Sequence, residues 1–137
     1  MKKLILIAVL IIIAGIAYGQ TFKKGNRFSV HVVTVTPAPN VTVEQFLNFY
    51  KDKIIPELEK NIPESKYYIA KSIRGECANC WSLVSTFKSK KDHDKYFNED
   101  GSQKEIYIAI MNKLKPLTDE WGKMGTYKRT YTTWEIQ

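Results

Sequence analysis

The chain is short of the residues that build most recognisable catalytic and metal centres. It has two cysteines and two histidines in 137 residues. A zinc site takes about four protein ligands, so Cys77 and Cys80 alone would need a second pair from another subunit. Trp81, not histidine, follows the second cysteine, which excludes covalent attachment of a c-type heme. No glycine-rich phosphate loop, nucleophile–base spacing or metal-binding cluster can be read, so neither a cofactor nor a metal is expected. Positive charge is in excess, formally +7, but two of those charges belong to Lys2 and Lys3. The rest are scattered among acids with no nucleic-acid-binding module, so nucleic acid is not an expected partner. Repeats, low-complexity tracts and interdomain linkers are also absent, which leaves one globular domain with one core.

The N-terminus carries a basic start, Met1-Lys2-Lys3, then an unbroken apolar run, Leu4 to Ile16. Ala17-Tyr18-Gly19 puts small residues where signal peptidases cut. This pattern predicts a signal peptide over residues 1–19 and export to the periplasm or medium of a bacterium. The alternative is a retained anchor, but the run is short of the ~20 residues that comfortably span a bilayer. No membrane association is expected after cleavage. Residues 20–27 read as a flexible lead-in and 28–137 as the domain.

Phe28 to Thr36 is dense in β-branched residues, with apolar side chains on both alternating faces, as in a central strand. Thr42 and Gln45 are spaced as a capping box. Val43, Phe46, Leu47, Tyr50, Ile54 and Leu58 follow as one helical stripe, in which Pro56 forces a kink or a fresh start. Tyr67 to Ile73 and Trp81 to Phe87 form a hairpin around the cysteines. Ser89 caps a short helix, Ser102 and Glu105 repeat the capping-box spacing, and Ile106, Ala109, Ile110, Leu114, Leu117 and Trp121 make a second stripe that Gly122 should end. Thr126 to Ile136 is the last strand. The order β-α-β-β-α-β predicts an α+β, ferredoxin-like fold: a four-stranded antiparallel sheet, first and third strands central, both helices on one face. The second face is also apolar and must be buried, most economically against a second copy of the chain.

The phrases Phe49-Tyr50 … Ile55-Pro56-Glu57-Leu58 and Phe87-Lys88-Ser89-Lys90 … Tyr96-Phe97, with this element order, resemble the dimeric α/β-barrel superfamily, which includes antibiotic-biosynthesis-monooxygenase-like proteins and uncharacterised exported bacterial domains. The resemblance covers residues 28–136. It implies a homodimer whose sheets pack face to face around a shared cavity for small molecules. Relatives include cofactor-independent monooxygenases, isomerases and heme-degrading enzymes. The heme-degrading branch uses an Asn on the first strand, a Trp ending the third and a His on the second helix. His31, Phe87 and the region of Phe97 stand at the matching positions, so the resemblance does not reach that chemistry.

His31 is the sole ionisable group of its strand and is the candidate catalytic base or hydrogen-bond donor; the alternative is a buried histidine bonded across the sheet. Trp81, Leu83, Ser85 and Phe87 on the third strand are the candidate ligand-binding residues. Tyr67, Tyr68, Tyr127, Tyr131 and Trp134 could line a pocket or pack a core or dimer interface. His93, beside Asp92 and Asp94, is expected on the surface. Cys77 and Cys80 are expected as a local disulfide in an oxidising compartment, with a redox pair or a shared metal site as alternatives. The function expected is a homodimeric small-molecule cavity protein, a cofactor-independent monooxygenase or isomerase acting on an apolar or aromatic compound. A non-enzymatic binding or structural domain is the rival, and a redox or metal protein using Cys77 and Cys80 trails.

Overall fold

The computed structural model describes residues 22–77 and 80–137, and the expected signal segment lies outside them. The elements are β1 (Arg27–Pro37), α1 (Val43–Phe49), α2 (Ile55–Asn61), β2 (Ser65–Lys71), β3 (Trp81–Phe87), α3 (Lys90–His93), α4 (Glu105–Lys123) and β4 (Gly125–Glu135). The sheet order is β2-β3-β1-β4 with every neighbouring pair antiparallel. With β1 and β3 central, this is the ferredoxin-like fold that the element order predicts. Cys77 and Cys80, Cα atoms 5.5 Å apart, are joined as a disulfide in the β2–β3 connection.

Local chemistry explains most element ends. Thr42 caps α1 through the full box, Gln45 N–H donating to Thr42 Oγ1 at 3.1 Å and Thr42 N–H to Gln45 Oε1 at 2.8 Å. Pro56 stands near the start of α2, which follows α1 without a break through a π-helical turn, Tyr50–Ile54. The second expected box is not made: α4 starts from Lys104 without a side-chain cap. Asp100 Oδ1 takes both the Ser102 N–H, at 2.9 Å, and its hydroxyl, at 2.6 Å. That carboxylate outcompetes the helix end for the serine. Gly122 lies inside α4, which runs to Lys123; on its core side Leu114 and Trp121 are buried and Ile110, Met111 and Leu117 partly buried, whereas Ile106 and Ala109 are exposed. The lead-in expected to be flexible is tied at its end. Gly25 N–H donates to Ile136 O at 2.7 Å, Ile136 N–H to Asn26 O at 2.9 Å, and Phe22 packs on Phe28.

Register divides the sheet into two faces. His31 lies opposite Leu83 and Tyr131, Ser29 opposite Ser85 and Thr133, and Val33 opposite Trp81 and Arg129, so these side chains share a face. That face carries the core. Phe46, Leu47, Ile54, Leu58, Leu114 and Trp121 form the main cluster, with Val35, Ile69 and Trp81 of the sheet packed on it. Phe87 joins Ile62 and Tyr96 in a second cluster. The other face, with Val30, Val32, Tyr68, Val84 and Trp134, has no helix over it among the described residues.

Gly125 begins β4 where the chain passes close to the end of β1. An added Cβ would stand 2.7 Å from Thr36 O and 2.8 Å from Pro37 Cα. Both are backbone atoms, so no side chain can swing aside. Gly125→Ala is expected to cost about 1–3 kcal/mol, read as a lower urea midpoint; a midpoint at the wild-type value would refute the close approach.

Candidate functional site

A cavity of about 380 Å³ lies between the helix-covered face of the sheet and the helices. It is inside a single chain. The expected shared cavity between two sheets does not hold His31, because His31 shares its sheet face with the residues that the helices cover. His31, Ser29, Leu83, Ser85, Phe87 and Tyr131 of the sheet line it, with Tyr50 and Ile54 of the π turn, Phe97 of the loop, and Tyr107, Met111 and Trp121 of α4. The π turn brings Tyr50 and Ile54 to the wall together, an arrangement such turns often supply at functional sites.

His31 is not bonded across the sheet. Its Nδ1 is buried with no hydrogen-bond partner among the described residues, and its ring stacks on Tyr131, centroids 5.3 Å apart and planes 18° from parallel. Tyr131 reaches toward the loop before α4; a Cβ on Gly101 would lie 3.8 Å from its hydroxyl. Burial, then the nearby Arg129 guanidinium, holds the His31 pKa below the ordinary imidazole value. A neutral imidazole with a free nitrogen is a base or an acceptor, and an orphaned polar atom in a cavity wall marks a place for a ligand atom.

The expected ligand-binding residues divide. Leu83, Ser85 and Phe87 line the cavity, whereas Trp81 does not. It packs on the main core cluster, with the Lys71 ammonium 5.4 Å over its ring. Tyr67, Tyr127 and Tyr131 also face the cavity, and Trp134 stacks on Phe28 on the opposite face. His93, expected on the surface, is instead buried, edge-on to Phe87 at 5.2 Å and beside Phe97 at 5.1 Å. It lines the same cavity. Its Nδ1 meets Asp94 Oδ1 at 3.1 Å, and Asp94 also accepts from Arg27 at 3.1 Å. Burial lowers the His93 pKa more than Asp94 raises it. Neither Tyr50, Tyr107 nor Arg129 is a residue the sequence singled out as lining a site. Burial raises the pKa of Tyr50, Tyr67 and Tyr107, so these phenols stay protonated.

Among the described residues no three His, Cys, Asp or Glu side chains are grouped to hold a metal, and no helix is long and apolar enough to cross a membrane. The cysteines stand in the hairpin connection, away from the cavity lining.

No family model matches the chain, and no curated protein matches it. Among solved structures, a dimeric protein of unknown function with a ferredoxin-like fold from Bacteroides fragilis is similar at 16% identity and a TM-score of 0.44, over 85% of this chain and 100% of that one. A candidate antibiotic biosynthesis monooxygenase from Nitrosomonas europaea is similar at 14% identity and a TM-score of 0.37, over 84% and 93%. The strand order and helix placement of the chain itself establish its ferredoxin-like fold, and no activity passes to it from either protein.

Proposed function

We propose that the chain takes a flat, apolar or aromatic compound into the cavity and that neutral His31 removes an acidic proton from it. A C–H bond beside a carbonyl, or a phenol O–H bond, breaks, an N–H bond forms, and the electron pair stays on the substrate as an enolate in the first case and a phenolate in the second. That step is common to cofactor-independent oxygenation, where dioxygen then oxidises the anion, and to isomerisation, where the proton returns elsewhere. The observation that carries the reading is the buried, unpartnered Nδ1 of His31 in an aromatic-walled cavity. The test is deuterium exchange into an enolisable aryl ketone followed by NMR in heavy water. Exchange above the buffer rate supports the enzyme; binding of the ketone without exchange would leave the rival reading, a binding domain.

The same reading includes a homodimer formed through the open sheet face, where Tyr68 is 49% and Trp134 53% exposed. Apolar sheet faces of this kind are normally covered. Val32 is exposed in the single chain, so a charge there costs the monomer little but would be buried unpaired in the dimer. Val32→Asp is expected to raise the dimer dissociation constant at least about 100-fold in sedimentation; a wild-type protein that sediments as a monomer would sink the dimer. Export is part of the proposal as well, supported by the basic-then-apolar N-terminus and by the disulfide, and a mature chain starting at Gln20 in mass spectrometry is its expected mark.

A further inference from the structure

The charge of the cavity wall is unbalanced. Among the described residues Arg129 is the one Lys or Arg lining it, and no Asp or Glu lines it. Arg129 lies opposite Val33 on β4, the edge strand, two residues from Tyr131 and on the same face as His31. Its guanidinium has no ion pair or side-chain hydrogen bond among the described residues. It nevertheless acts across the cavity, since its charge is felt at His31, Tyr50 and Tyr107. A free guanidinium at the rim of an aromatic slot presents a planar fork of donors that fits a carboxylate in two parallel hydrogen bonds. The rim also keeps it partly solvated, so it does not carry the full penalty of a buried unpaired charge.

We infer that the ligand is an aromatic carboxylate, its acid group held by Arg129 at the mouth and its ring lying inward over His31 and Tyr131. This rests on the cavity reading above and narrows it from apolar compounds in general to aromatic monoanions. The spacing is suitable: same-face neighbours on one strand are about 7 Å apart, roughly the reach from a carboxylate across one ring to a reacting position beside His31.

The experiment compares 2-naphthoate with its methyl ester, titrated calorimetrically against the full-length protein, its Arg129→Gln variant and its Arg129→Lys variant, each checked for folding by circular dichroism. Wild-type protein is expected to bind the acid about 10- to 100-fold more tightly than the ester, the usual worth of a charge-assisted contact. Added salt should shrink that preference. Arg129→Gln should bring the two constants within about threefold of each other, and Arg129→Lys, which keeps the charge and loses the fork, should retain part of the difference. Ester binding without a preference for the acid overturns this inference alone, as does a preference that survives in Arg129→Gln. Failure of both probes to bind overturns the cavity reading and this inference with it.

Discussion

Trp121→Ala is expected to lower the stability of the domain by about 3–5 kcal/mol, the range for deleting a buried aromatic. Trp121 is 6% exposed and holds three elements at once. Its ring lies 4.5 Å from Phe46 of α1, 5.0 Å from Tyr50 of the π turn and 5.0 Å from Tyr127 of β4. Its indole N–H donates to Phe46 O at 2.9 Å. That carbonyl also accepts from the Tyr50 N–H, which it shares with Leu47 O, so the indole fills its second lone pair. For a domain of this size each kcal/mol is worth about 4 °C in Tm, so the midpoint should fall by about 10–20 °C. Trp121→Phe separates the parts: it keeps most of the packing and should cost about 0.5–1.5 kcal/mol, chiefly for the lost indole hydrogen bond. A Trp121→Ala variant melting within a few degrees of wild type would show that the cluster does not carry the core.

The strands and their order were legible because period-two patterning and right-handed crossovers leave few alternatives, and the Thr42–Gln45 box was legible because its partners are three residues apart. What stayed hidden depends on partners distant in sequence. The π turn leaves no local mark; Trp121, whose ring packs on its Tyr50, comes from α4, far along the chain. Ser102 looked like a cap, but the deciding competitor was the carboxylate of Asp100, an acceptor the spacing rule does not weigh. His93 looked exposed between two acids because Phe87 and Phe97, which enclose it, belong to a strand end and a loop. Arg129 was one basic residue among many, and only the register of β4 against β1 brings it beside His31. Trp81 shared the alternation of Leu83, Ser85 and Phe87 correctly, but strand parity sets the face, not the position along it, and Trp81 sits toward the core end.

His31→Gln is expected to slow the exchange of an enolisable aryl ketone by about 10²- to 10⁴-fold, the usual worth of a positioned general base. Glutamine is close in size and polar, so it can occupy the space beneath Tyr131, but it cannot accept the proton. For Nδ1 to act as the base it must carry the lone pair, which requires the tautomer protonated at Nε2, and the Tyr131 stack limits the ring orientations that present it. The active form is neutral, so the rate should rise with pH and level off. Because burial and Arg129 both hold the pKa below 6.5, the inflection should lie below pH 6.5 and the plateau should be complete in the neutral range. His93 has a lowered pKa too, but the charges acting on it are those of Arg27, Asp94 and Lys90, not Arg129. Arg129→Gln thus distinguishes the two histidines. If His31 is the base, removing that cation moves the inflection up toward the ordinary imidazole value; if His93 is the base, the inflection stays in place. An unchanged rate in His31→Gln, or an inflection that ignores Arg129, would transfer the role away from His31.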